Sequence, residues 1–117
     1  MSNRVMIVED EPLIAMLIED LLPELGFHVQ HTVASVEAAL QAIEQQDIDL
    51  ALLDVNLAGI ASFPIAEALS ARQLPFLFTT GYGQLGIPEK FADYPVLPKP
   101  FRMAELQAAL QACAKVA

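Results

Sequence analysis

Residues 50–57 read Leu50-Ala51-Leu52-Leu53-Asp54-Val55-Asn56-Leu57, an apolar run that ends abruptly in a carboxylate. A run without polar alternation belongs to a strand covered on both faces, because a half-wet strand alternates with period two. The same pattern recurs to either side. Arg4–Val8 is continuous and apolar and stops at Glu9, Asp10 and Glu11. Phe76–Thr79 runs into Thr80 and Gly81, and the short, proline-bounded Pro95–Leu97 runs into Lys99. Phe27–Thr32 is more polar and alternates, as an edge strand should. These are five strand candidates.

Segments of helical period lie between them. Pro12 suits a first helical turn, and Leu13, Leu17, Leu21 and Leu25 recur every four residues, predicting an inward apolar face that stops at Gly26. Ser35 is placed to cap a second helix with Ala39, Leu40 and Ile43 inward. Ser62–Arg72 has Pro64 near its start and Ile65, Ala66 and Leu69 on one face. Phe101–Val116 repeats Leu106, Ala109, Leu110 and Cys113. Gly86 and Pro88 interrupt Gln84–Ala92, so a helix there is expected to be short or irregular. Strands alternating with helices predict an α/β fold, a doubly wound five-stranded parallel sheet with helices on both faces.

The chain has 117 residues, the size of one domain, and 1–117 is read as a single unit. Its apolar share of 55% excludes a disordered segment. The net charge of −9 argues against nucleic acid and against an anionic membrane surface. A protein partner is expected instead. Cys113 is the one cysteine, so no internal disulfide is possible, and a reducing, cytoplasmic location is expected. The four apolar residues before Glu9 are too few for a secretory signal.

In a doubly wound sheet, ligands bind beyond the carboxyl ends of the strands. Right-handed crossovers set the first, third, fourth and fifth strands side by side, which gathers Glu9, Asp10, Asp54, Thr80 and Lys99 at one edge. Carboxylates crowded there repel one another unless a cation sits among them. Oxygen donors alone suit a hard ion such as Mg²⁺. A carboxylate can attack phosphorus to give an acyl phosphate, provided a metal and a lysine neutralise the incoming anion. Thr80 can donate to a phosphoryl oxygen once one is present. Each residue taken singly reads as a helix start, a turn or solvated surface; the four strand ends together carry the functional reading.

Over essentially its whole length the chain also resembles the receiver domains of two-component response regulators (CheY-like). The matching stretches are Ile7-Val8-Glu9-Asp10-Glu11, Leu52-Leu53-Asp54-Val55-Asn56-Leu57, Phe78-Thr79-Thr80-Gly81-Tyr82 and Leu97-Pro98-Lys99-Pro100-Phe101. The resemblance implies a (βα)5 flavodoxin-like sandwich with strand order 2-1-3-4-5 and Lys99–Pro100 in cis. It implies that Asp54 is the phosphoacceptor, with Thr80 and Lys99 assisting. Glu9, Asp10, Asp54 and the backbone carbonyl of Asn56 would hold Mg²⁺ or Mn²⁺. The phosphodonor would be a histidine kinase or histidine phosphotransfer protein, and the domain would be a monomer that takes a phosphoryl group without being a turnover enzyme. It would act on a protein target or serve as a phosphate sink or relay.

Pro75–Gly83 looks like the stand-alone alphaproteobacterial subgroup with a Phe-Ala-Thr-Gly-x-Tyr motif, with Thr79 in the alanine's place. Val96 stands where receivers often carry an aromatic that moves with the threonine, and Tyr94 is close but out of register. An order–disorder change of Gly81–Ala92, and a Tyr82 ring that either screens the acyl phosphate from water or admits water to it, are the expectations this raises.

Other readings compete. A haloacid-dehalogenase-like phosphatase needs a second aspartate two residues after its nucleophile, where this chain has Asn56. A pseudoreceiver would keep the fold and never take phosphate. No strand is followed by a nucleotide-binding glycine turn. His28 and His31, without a cysteine or third histidine, read as a solvated edge.

Overall fold

The computed structural model describes residues 3–81 and 86–113. Its elements run β1 (Arg4–Val8), α1 (Pro12–Glu24), β2 (His28–Val33), α2 (Val36–Glu44), β3 (Leu50–Asp54), β4 (Asn56–Leu57), β5 (Ile60–Ala61), α3 (Phe63–Ala71), β6 (Phe76–Thr80), β7 (Val96–Pro98) and α4 (Met103–Cys113). β2, β1, β3, β6 and β7 form one parallel sheet in that order, the predicted 2-1-3-4-5 arrangement. Strand and helix ends differ from the expected ones by one or two residues, and the helix end expected at Val116 lies outside the described residues. The short pair β4–β5 is antiparallel and stands outside the sheet; it was not anticipated.

Alternation along each central strand divides the interior into two cores. Met6, Val8, Ala51, Leu53, Phe76 and Phe78 meet α2 and α3 on one side, through Ala39, Ile43, Ile65 and Leu69. Val5, Ile7, Leu50, Leu52 and Leu77 meet α1 and α4 on the other, through Ile18, Leu22, Leu106, Leu110 and Cys113. Burial pushes the Cys113 thiol up to about 11, as expected of a structural cysteine. Ser35 Oγ accepts the Ala38 N–H at 3.2 Å, the predicted cap of α2. Gly26 takes φ +88° past the end of α1, the left-handed stop that glycine allows.

The leucine ladder of α1 is in part a correction: Leu21 and Leu25 pack against the core, but Leu13 and Leu17 do not. Its buried residues are Ala15, Ile18 and Leu22, while Leu13 is 81% and Leu17 42% exposed. A helix turns about 100° per residue, so a four-residue repeat drifts about 40° at each step and cannot hold one face over the helix. The spacings of three and four from Ala15 to Ile18 to Leu22 keep to the sheet side.

Where Gly86 and Pro88 forbid a regular helix, the described residues 86–95 hold one 3₁₀ turn, Glu89–Phe91. Phe91 is buried among Phe63, Phe76 and Phe78, at ring separations of 6.0 to 6.3 Å. Tyr94 stacks flat on Phe76, 3.9 Å between centroids and 13° between planes. On the outer edge, His31 Nε2 and Gln30 Nε2 both reach Asp47, each at 2.9 Å. His31 is thus part of an edge cluster, and no metal-ligand group among the described residues includes either histidine.

Candidate functional site

The carboxyl ends of β1, β3, β6 and β7 bring the predicted residues together. Asp54 closes β3 and is 4% exposed; Glu9 follows β1 and is 3% exposed. Between them sits the Lys99 ammonium, 3.1 Å from Asp54 Oδ2 and 3.2 Å from Glu9 Oε1, with Glu11 Oε1 at 4.0 Å. Lys99 is held by its own backbone, whose N–H donates to the Thr80 carbonyl at 2.8 Å, and Lys99–Pro100 is cis, as expected.

Each carboxylate is also fixed by a main-chain donor. The Asn56 N–H donates to Asp54 Oδ1 at 3.2 Å, and the Glu11 N–H donates to Glu9 Oε2 at 3.1 Å. One carboxylate oxygen from each of Glu9, Asp10 and Asp54 falls within 4.8 Å of the others. Asp10, Glu11, Asp54, Asn56, Ala58, Thr80, Gly81 and Lys99 line an open pocket of about 310 Å³ over this cluster.

The electrostatics follow from the crowding. Burial raises the Glu9 pKa to about 7, the Glu11 N–H works against that, and Asp54 adds to it through a hydrogen bond and like charge. Lys99 loses some basicity to burial, but Asp54 and Glu9 more than restore it, and its pKa ends above the ordinary value. One ammonium among three carboxylates leaves the cluster net negative. An all-oxygen donor set, closely spaced and charge-rich, fits a hard divalent cation.

All the residues expected at the site are therefore at the site. Thr80 is buried at the pocket wall, with Thr79 beside it on the opposite side of β6. Tyr82 lies outside the described residues, as do residues 82–85 of the expected order–disorder segment Gly81–Ala92. The sequence reading missed the β4–β5 hairpin and Ala58 on the pocket wall. An Asn-x-x-Gly spacing at Asn56 and Gly59 was the available signal.

A five-stranded parallel sheet in this order, with acids after its first and third strands and a lysine after its fifth, is the flavodoxin-like receiver fold. The response regulator receiver domain family matches residues 5–111, and the chain belongs to that family. Among solved structures it is similar to SdrG from Sphingomonas melonis Fr1, at 48% identity, 96% coverage of both chains and a TM-score of 0.88. It is also similar to the receiver domain of the sensor histidine kinase PA1611 from Pseudomonas aeruginosa PAO1, with 28% identity and a TM-score of 0.80 over 97% of this chain and 98% of that one. That structure has a magnesium ion coordinated in its active-site cleft. The transcriptional regulatory protein TcrA of Mycobacterium tuberculosis is 35% identical over 96% of this chain and 46% of its own length. The chain thus spans about half of that curated relative. Among the described residues no helix is long and apolar enough to cross a membrane.

Proposed function

We propose that this domain is a phosphorelay switch that accepts one phosphoryl group on Asp54 from a phosphohistidine protein, in the presence of Mg²⁺. The observation that carries the reading is Lys99 held between Asp54 and Glu9 at 3.1 and 3.2 Å, with Asp10 completing the acidic cluster. In the transfer, an Asp54 carboxylate oxygen forms a bond to phosphorus as the phosphorus–nitrogen bond to imidazole breaks. The electron pair of that bond leaves with the imidazole, which takes up a proton.

Each side chain has a part in this. The Asn56 N–H fixes one Asp54 oxygen, so that the carboxylate meets phosphorus in one orientation. Lys99 is a positive point charge beside the oxygens that gain charge. Thr80 lines the pocket, where its hydroxyl can donate to a phosphoryl oxygen. Glu9, Asp10, Asp54 and the Asn56 carbonyl are the groups that would hold Mg²⁺; Mn²⁺ has the same donor preferences. The cation supplies charge neutralisation for an anion approaching an anionic site. The domain makes one acyl phosphate per molecule and is not a turnover enzyme. Its output is a protein contact, or onward transfer of the phosphoryl group.

Intact mass after incubation with Mg²⁺ and acetyl phosphate tests the reading. One added phosphoryl group is expected, absent in Asp54→Asn and absent without a divalent cation. A wild-type chain that takes none, from acetyl phosphate or from a phosphorylated histidine kinase, would make this a pseudoreceiver.

A further inference from the structure

Asn56 holds two structures together. Its N–H donates to Asp54 Oδ1 at 3.2 Å, while its side-chain Oδ1 accepts the Gly59 N–H at 2.7 Å. The second bond spans the loop of the β4–β5 hairpin, in which Asn56 pairs with Ala61 and Leu57 with Ile60. Two residues, Ala58 and Gly59, make that loop, at φ +53° and +91°. Two consecutive left-handed residues suit a tight hairpin turn, but that conformation is natural to Gly59 and strained for Ala58. The hairpin is fixed at both ends: Leu57 is buried in the core, and the Ser62 N–H donates to the Val55 carbonyl at 3.0 Å. Its turn nevertheless runs against the backbone preference of Ala58, and the Asn56 side chain is what bridges it.

We infer that the Asn56 side chain is a positioning residue: by closing the β4–β5 turn over a strained Ala58, it fixes its own backbone. The two peptide groups that meet at Asn56 present the N–H that orients Asp54 and the carbonyl assigned to the cation. Asn56 thus acts through the turn, with no need for its amide to touch the phosphoryl group. The inference rests on the phosphoacceptor function proposed above and adds to it a residue whose side chain works at a distance.

The comparison that tests it uses wild type, Asn56→Ala, Ala58→Gly and the double variant. In metal-free protein, Asn56→Ala should speed hydrogen exchange of the amides at positions 56 and 59. It should also weaken Mg²⁺ binding, read by calorimetry, and slow acetyl phosphate transfer, each roughly tenfold, the low end for losing an outer partner of a metal site. Glycine adopts the left-handed backbone without strain, so adding Ala58→Gly to Asn56→Ala should recover most of the Mg²⁺ binding, the transfer rate and the protection of amide 56, while amide 59, its acceptor gone, still exchanges fast. An Asn56→Ala protein equal to a competent wild type would overturn the inference alone. So would losses of binding and transfer that Ala58→Gly leaves untouched, since the side chain would then be acting directly at the ligand. A wild-type protein that takes neither Mg²⁺ nor phosphoryl group would overturn the proposed function, and this inference with it.

Discussion

At Glu9, burial and the neighbouring Asp54 both favour the protonated acid, and they raise its pKa from 4.5 to about 7 despite the Glu11 N–H and the Lys99 charge. The folded chain therefore holds this proton more tightly than the unfolded chain does. Protonation favours the fold, so Glu9's contribution is complete below its unfolded pKa and is lost as pH rises through about 7. The metal-free protein should consequently lose thermal stability between pH 5 and pH 8, on the order of 5–10 °C in Tm. Glu9→Gln, which mimics the neutral acid, should flatten that dependence. Saturating Mg²⁺ should reverse it in wild type, because a cation favours the carboxylate and adds its own binding energy to the fold. Melts in a chelator and in Mg²⁺ across this range check the prediction; an equal slope in Glu9→Gln would place the titrating group elsewhere.

At the scale of elements, the segment after β6 depends on aromatic packing. Phe76, Phe78 and Thr80 lie on one side of β6 by strand alternation, and the two phenylalanines hold Phe91 and Tyr94. With Val96 in place of an aromatic, this stack is what ties 86–95 to the strand that carries Thr80. The Lys90–Glu67 ion pair spans the same region, yet both side chains are more than half exposed. Phe91→Ala should therefore cost about 3–4 kcal/mol, as large-to-small changes of buried aromatics do. Lys90→Ala should cost less than about 1 kcal/mol, as for exposed ion pairs. Denaturant melts separate the two, and equal losses would mean the ion pair holds the turn.

The same scale shows what the sequence makes legible. The continuous strands and the residues at their ends were readable, because burial on both faces forces apolar runs and the topology then aligns their ends. That the described residues 86–95 hold only a 3₁₀ turn was readable from Gly86 and Pro88. The face of α1 was not, because leucines every four residues resemble a stripe while the helix rotates them away from it. The β4–β5 hairpin was hidden because its strands are two residues each and its turn begins at an alanine, a residue that does not advertise a left-handed backbone. Side-chain bonds such as Asn56 to Gly59 decide such turns, and the Asn-x-x-Gly spacing was the one sign of this bond in the sequence.

At the scale of the whole molecule, a chain of net charge −9 carries its exposed apolar residues close to its acidic cluster. Among the described residues the exposed large hydrophobics are Leu13, Met16 and Leu17 on α1 and Ile60 on the hairpin, and α1 starts just after the acidic cluster. Leu17 and Ile14 line an apolar hollow of about 280 Å³ with Pro100 and Phe101, and it shares Glu11, Gly81 and Lys99 with the pocket over Asp54. A protein that delivers a phosphoryl group to Asp54 must come within bonding distance of that pocket, and so must cover this surface. A small donor need not. Leu13→Glu and Met16→Glu, at positions outside the core, should leave the fold and acetyl phosphate transfer intact. They should slow transfer from a phosphorylated histidine kinase or phosphotransfer protein at least tenfold, the effect of removing apolar contacts worth about 1.4 kcal/mol and adding charge. Parallel time courses with the two donors read the difference directly. Equal slowing with both would trace the effect to a disturbed pocket, and no slowing with either would leave α1 outside the docking face.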